Sequence, residues 1–187
     1  YVDSRSNQLV MRVDENDSVK RIKNLKKINF MIYDAVIVSD YNKGFLYEED
    51  MEYISNNSKL SFLQTNKVLS DWCSDFDYIK INNYEYSNTS QFTSKEFLNQ
   101  INLIITRGEK GVTYKNKNFP ISKPVMVRSL AGAGDTFLSA LVVKFLETNN
   151  IVRSIKFAQN SSKKVVSQLG ISVVGDLKNK KPKIIKN

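Results

Sequence analysis

The chain has 187 residues, 41% of them hydrophobic, with 28 basic and 19 acidic side chains, a net charge of +9, one cysteine and no histidine. That length and apolar share support one domain with a sizeable core, while the missing histidine excludes Ser-His-Asp and Cys-His catalysis and His-based zinc sites. Cys73 has no internal disulfide partner, no apolar run approaches the length of a membrane span, and the opening Tyr1-Val2-Asp3-Ser4-Arg5 is no signal peptide, so a cytoplasmic setting is expected.

In chain order, residues 9–13 have the alternation of a strand. Residues 18–28 have that of an amphipathic helix, with Val19, Ile22, Leu25 and Ile28 at helical spacing among Lys20, Lys23, Lys26 and Lys27. A short apolar strand over 35–39 ends in Asp40, a charged helix follows near 48–56, and strands are expected near 60–64 and 78–81. Thr93 and Glu96 have capping-box spacing and open a short helix, after which 102–106 is a further β-rich run ending at Gly108. Residues 112–114 and 118–121 flank Lys115-Asn116-Lys117-Asn118 as a hairpin. Two helices, about 134–147 and 151–169, lead into an apolar run at 171–174.

This alternation predicts an α/β fold with a mostly parallel central sheet and helices on both faces. In such sheets ligands bind outside the carboxyl ends of the strands, where Asp40, Asn82 and Thr106 fall. Residues 1–175 form the expected domain. Residues 176–187, with five lysines against one aspartate, form a basic tail expected to be poorly ordered. The excess charge is spread over helix faces and this tail rather than gathered into a stripe, and the aromatic residues form no stacking motif. Both features argue against a nucleic-acid partner.

The chemistry concentrates at Gly132-Ala133-Gly134-Asp135, which runs directly into the apolar stretch 136–146. Glycines let backbone N–H groups close on an anion, a helix start adds unsatisfied donors, and a carboxylate there can take a proton from an attacking hydroxyl. Asp135 as a plain helix cap is the competing assignment. No Gly-Lys-Ser/Thr follows, so this is not a Walker loop, and Phe137 stands where a dinucleotide fingerprint needs its third glycine.

The stretch from Arg128 to Phe137 resembles the DTTGAGDTF signature of the ribokinase-like (PfkB) carbohydrate kinases. Four further segments match in the same order. Ser39-Asp40-Tyr41-Asn42-Lys43-Gly44 resembles the SDYxKG of the heptose 7-phosphate kinase branch, Asn82-Asn83-Tyr84-Glu85 the NxxE motif, and the stretch Ile105 to Gly111 the (V/I)TRGxxG motif. Arg12-Val13-Asp14 resembles the LRxD of that branch. The resemblance spans about residues 8–174 and implies a ribokinase-like three-layer α/β/α fold that lacks the family's N-terminal strands, Gly-Gly sugar motif and β lid. The opening Tyr1 fits a fragment of a longer polypeptide.

The same resemblance implies ATP as phosphoryl donor, Mg²⁺, and a sugar or sugar phosphate as acceptor, most closely heptose 7-phosphate at C1 in activated-heptose synthesis for lipopolysaccharide. Another PfkB sugar or nucleoside kinase, or a nucleotide-binding domain without turnover, are the alternatives. Asp135 matches the base, and Gly132, Ala133 and Gly134 the N–H groups around the migrating phosphate. Asn82 and Glu85 match the pair that holds Mg²⁺ through its waters. Asn82, Asn83, Tyr84, Glu85, Thr106, Arg107, Gly108, Gln159 and Asn160 are placed along the nucleotide, and Asp40, Lys43, Lys67, Arg12 and Asp14 near the sugar. Taken alone, Asn82 and Glu85 also fit a turn and a helix start. Ser129 and Ala131 replace an Asp and a Thr of the signature in a region that, in the family, helps organise a neighbouring monovalent-cation site, so that site is not expected here. No membrane partner is expected, and a homodimer is an expectation from the family alone.

Overall fold

The computed structural model describes residues 18–123 and 125–168; the strand expected over 9–13, the apolar run at 171–174, the basic tail, Arg12 and Asp14 lie outside them. Val36–Asp40 (β1), Ser61–Thr65 (β2), Tyr78–Asn82 (β3), Leu103–Thr106 (β4), Val112–Tyr114 (β5) and Lys117–Phe119 (β6) form one sheet in sequence order. The first four strands are parallel, with Val38 beside Leu63, Leu63 beside Ile79 and Ile79 beside Leu103. The last two close the sheet as an antiparallel hairpin. Every residue of β2 is buried, as befits an inner parallel strand covered on both faces.

Successive strand residues point to opposite faces, and the core divides accordingly. On one face Val38, Leu63, Ile79, Ile81, Leu103 and Ile105 pack with Met51 and Ile54 of Glu48–Asn56 (α1) and with Leu98 of Lys95–Gln100 (α3). Asn83–Thr89 (α2) continues directly from β3. On the other face Phe62, Ile104, Val112 and Tyr114 pack with Phe137, Leu138, Leu141 and Phe145 of Ala133–Thr148 (α4) and with Ile155 and Ala158 of Ile151–Val166 (α5). The rings of Phe62, Tyr78 and Phe145 lie 5.1 to 5.9 Å apart there. This is the expected α/β/α layering. The same alternation carries two polar side chains, Gln64 and Lys80, onto the α4 face, where both are buried.

Three expectations are corrected. Residues 18–28 do not form a helix beyond a single 3-10 turn, Leu25–Lys27. The Val19 and Ile22 N–H groups instead donate to the carbonyls of Lys43 and Phe45, at 2.7 and 2.9 Å, and Asn24 enters the left-handed region at φ 61°. Long-range backbone pairing has overridden the apolar spacing. Ser94, not Thr93, caps α3 by accepting from the Phe97 N–H, and the Thr93 hydroxyl donates to the Leu69 carbonyl at 2.6 Å. The hairpin turns on Lys115 and Asn116 alone, both at positive φ, so β6 begins at Lys117 rather than at 118; a two-residue turn of that hand matches the strand twist. Cys73 is buried, and burial pushes its thiol up to about 12, which leaves it unreactive. Among the described residues no helix is long and apolar enough to cross a membrane.

Candidate active site

The carboxyl ends of β1 to β4 bring Asp40, Thr65, Asn82 and Thr106 into neighbouring register positions. At β1 and β2 the Thr65 hydroxyl donates to Asp40 Oδ2 at 2.9 Å, and Lys67 Nζ donates to Asn42 Oδ1 at 2.6 Å and lies 3.8 Å from Asp40 Oδ2. The expected sugar-side residues Asp40 and Lys67 are therefore in one network, with Lys43 in the loop that follows β1.

At β3 the chain turns straight into α2 through a closed capping box. Asn82 Oδ1 accepts from the Glu85 N–H at 2.9 Å, Glu85 Oε2 accepts from the Asn82 N–H at 2.6 Å, and Asn82 Nδ2 donates to Glu85 Oε1 at 2.7 Å. Helix start and candidate ligand pair are the same atoms. Asn83 and Tyr84 are exposed on the first turn of α2. Arg107 reaches across from the loop after β4: its Nε donates to the Thr113 hydroxyl at 2.9 Å, another of its nitrogens bonds Asn83 Oδ1, and its guanidinium lies over the Tyr86 ring. The Thr106 hydroxyl donates to the Ile81 carbonyl, and Gly108 opens the single turn Gly108–Lys110 that ends at Gly111.

On the α4 face, Gly132 precedes the helix in the left-handed region at φ 73° and gives it no side-chain cap. Asp135 is thus the third helical residue, and its carboxylate does not cap. Oδ1 accepts instead from the Tyr41 hydroxyl at 2.7 Å and from Gln64 Nε2 at 3.3 Å. Of the backbone donors expected to face phosphate, the Ala133 N–H is already bonded to the Leu130 carbonyl, because the chain closes a tight turn there. The Gly134 and Asp135 N–H groups belong to the first turn, which a helix leaves without intrahelical acceptors, and the Gly132 N–H lies just before it. Ser129, in place of the signature's Asp, accepts the Ala131 N–H at 3.2 Å.

Beneath this turn Lys80 Nζ donates to Gln64 Oε1 at 2.8 Å. Burial pushes the Lys80 ammonium's pKa below its usual value, opposed by the Glu85 and Asp135 carboxylates. Gln159 and Asn160 do not act together. Gln159 Nε2 donates to the Phe119 carbonyl at 2.7 Å and ties α5 to β6, while Asn160 lines a shallow groove with Val125, Phe157 and Lys163. Sequence reasoning missed Tyr41, Gln64 and Lys80. The signal was a polar residue two places after an aromatic in each of two apolar strands, Phe62 to Gln64 and Tyr78 to Lys80. Among the described residues no cluster of three or more acidic or thiol ligands forms a metal cage. One carboxylate and one amide, as at Glu85 and Asn82, suit a Mg²⁺ ion that keeps its waters and binds substrate phosphates.

The fold is that of ribokinase-like enzymes. It superposes on the ribokinase of Thermotoga maritima with a TM-score of 0.66 at 21% identity, over 80% of this chain and 55% of that one. The nucleoside kinase of Methanocaldococcus jannaschii gives 0.60 at 18% identity, over 78% and 54%. The family of pfkB family carbohydrate kinases matches residues 2–174, and the chain belongs to it. Among curated proteins it is similar to the bifunctional protein HldE of Helicobacter acinonychis, 25% identical over 88% of this chain and 41% of that protein. The HldE protein of Shewanella baltica is 28% identical over 91% and 40%. The chain thus spans about two fifths of the length of these relatives.

Proposed function

We propose that the protein containing this chain is a cytoplasmic ATP-dependent sugar kinase that phosphorylates a sugar phosphate hydroxyl, heptose 7-phosphate at C1, on the way to an activated heptose for lipopolysaccharide. The observation that carries the proposal is Asp135, a carboxylate released from capping duty on the first turn of α4 and held by Tyr41 and Gln64. The likeness to HldE proteins favours the heptose acceptor over other sugars and over nucleosides.

In this reading Asp135 takes the proton from the acceptor hydroxyl as that oxygen attacks the γ-phosphorus of ATP, while the bond from the γ-phosphorus to the β–γ bridging oxygen breaks and ADP leaves. The N–H groups of Gly132, before α4, and Gly134, in its first turn, with the positive end of the α4 dipole, receive the negative oxygens of the migrating group. Arg107, anchored on Thr113 and Asn83, lies along the nucleotide phosphates. Asn82 and Glu85 would hold Mg²⁺ through its waters, where the ion offsets phosphate charge. Asp40, Lys43 and Lys67 stand on the acceptor side.

The test is ATP consumption by the full-length protein with heptose 7-phosphate and common sugars as acceptors, beside Asp135→Asn. The variant should lose about 10²- to 10⁴-fold in kcat with ATP binding unchanged. Native turnover in that variant refutes the assignment. A nucleotide-binding domain without turnover is the second reading, favoured by Ala131 and by the engaged Ala133 N–H; ATP binding with no transfer to any acceptor would select it.

A further inference from the structure

Gln64 and Lys80 face each other across parallel strands β2 and β3 and are 7% and 5% exposed, on a sheet face otherwise packed with Phe62, Tyr78 and Ile104. Polar side chains in such a place destabilise the fold unless they are hydrogen-bonded, and these are bonded in a chain with one direction. An ammonium only donates, so the bond from Lys80 Nζ fixes which end of the Gln64 amide is oxygen. The NH₂ end must then point the other way, and there it donates to Asp135 Oδ1. A donor-only group at one end and a carboxylate at the other leave the amide a single orientation.

The approach of α4 is built for this contact. A Cβ on Gly134 would lie 3.2 Å from Lys80 Nζ and 3.7 and 3.9 Å from the two amide atoms of Gln64, so a glycine lets the first helical turn rest on the pair. Tyr41 bonds the same carboxylate oxygen as Gln64. Among the described residues both bonds therefore fall on Oδ1, and Oδ2 takes none.

The geometry points to Gln64 and Lys80 as a positioning pair for the catalytic base: Lys80 sets the Gln64 amide, and Gln64 holds Asp135 by Oδ1 so that Oδ2 is left for the acceptor hydroxyl. This rests on Asp135 acting as the base. Neither residue touches the reacting atoms in this role. Their effect is on kcat, through the aim of the carboxylate.

Gln64→Glu in the full-length protein separates positioning from packing. It is isosteric and keeps a partner for Lys80, but it presents an acceptor to Asp135 where a donor stood. The expected result is a kcat lower by about 10- to 100-fold, with KM for ATP and sugar within about 2-fold of native, the scale of a misplaced catalytic group. In crystals of Gln64→Leu the Asp135 carboxylate should leave its native position by about 1 Å or more. A kcat within about 2-fold of native in Gln64→Glu, or an unmoved carboxylate in Gln64→Leu, overturns the proposal. Should the native protein phosphorylate no acceptor, the kinase reading fails by that result, and the crystallographic comparison still decides whether the pair positions Asp135.

Discussion

A buried ammonium is an expensive way to orient an amide, and that cost is measurable. Lys80 is 5% exposed and, among the described residues, has one side-chain hydrogen bond, to Gln64, for three N–H donors. Moving an ammonium out of water costs several kcal/mol even after relaxation, whereas the charge-assisted bond to Gln64 returns about 1.5 to 3 kcal/mol. The double variant Gln64→Leu, Lys80→Met fills the same space with apolar atoms and leaves no unpaired partner behind, since Asp135 is exposed. It should therefore be more stable than native at pH 7 by about 1 to 4 kcal/mol while losing turnover. Lys80→Met alone should gain less, because a buried Gln64 oxygen left without a donor costs about 1 to 3 kcal/mol. The advantage should also depend on pH. Burial lowers the Lys80 pKa in the folded state from its ordinary 10.5. As pH rises through that window the native protein sheds this proton before the unfolded chain does, so the native fold gains stability and the advantage of the double variant shrinks. Denaturant melts of the full-length protein at pH 7 and pH 10 test both parts. A double variant less stable than native at pH 7, or a difference that does not change with pH, would refute the reasoning.

Two further outcomes follow from the structure. Gly111→Ala should destabilise the protein by about 2 to 5 kcal/mol, because Gly111 lies at φ 92° and a Cβ there would fall 2.1 Å from the Phe119 carbonyl oxygen, a backbone atom with little room to move. Binding of an ATP analogue, followed by calorimetry, should weaken with it, since the Gly111 carbonyl anchors the Arg107 N–H; a loss in stability below about 1 kcal/mol would show that β6 yields freely. Asp50→Asn should lower the melting temperature at pH 7 and matter progressively less in acid. The Arg21 guanidinium, donating at 2.7 and 2.8 Å, and the Tyr47 N–H hold the Asp50 carboxyl below its ordinary pKa. That stabilisation is present above the ordinary carboxylate range and is lost as pH falls through the depressed value. An unchanged difference between pH 7 and pH 3 would exclude this ion pair as its source.

The sheet was legible because its first four strands are short apolar runs ending in polar residues, and parallel pairing lines those ends up. The positions of Asp40, Asn82 and Thr106 follow from that alone. The helix Glu48–Asn56 was legible at both ends, with three acidic residues in its first turn to favour the start. Residues 18–28 were not, since their partners are the carbonyls of Lys43 and Phe45, and helical spacing carries no record of a distant backbone. At the site, the role of Asp135 could be proposed from a glycine turn before an apolar helix. That its carboxylate is bonded by Tyr41 and Gln64 could not, because these arrive from the loop after β1 and from β2, far away in sequence. Gln64 and Lys80 were visible as polar interruptions, but only the pairing of β2 with β3 puts them side by side.

The capping role of Asn82 and Glu85 and the metal role proposed for them do not compete for geometry. Three hydrogen bonds of 2.6 to 2.9 Å lock the two side chains against each other and start α2. Side chains fixed in this way have already lost their rotamer freedom, so under the proposed metal role binding would not have to remove it. Each carboxylate oxygen of Glu85 keeps a lone pair beyond its bond to Asn82. Two residues earlier on the same strand, Lys80 reaches the other side of the crevice and feels both Glu85 and Asp135. Strand β3 therefore carries the pair Asn82 and Glu85 at its end and, on its α4 face, the lysine that bonds Gln64 beneath Asp135. Its parallel register with β2, which sets Gln64 against Lys80, is what brings Lys80 to the amide that holds Asp135.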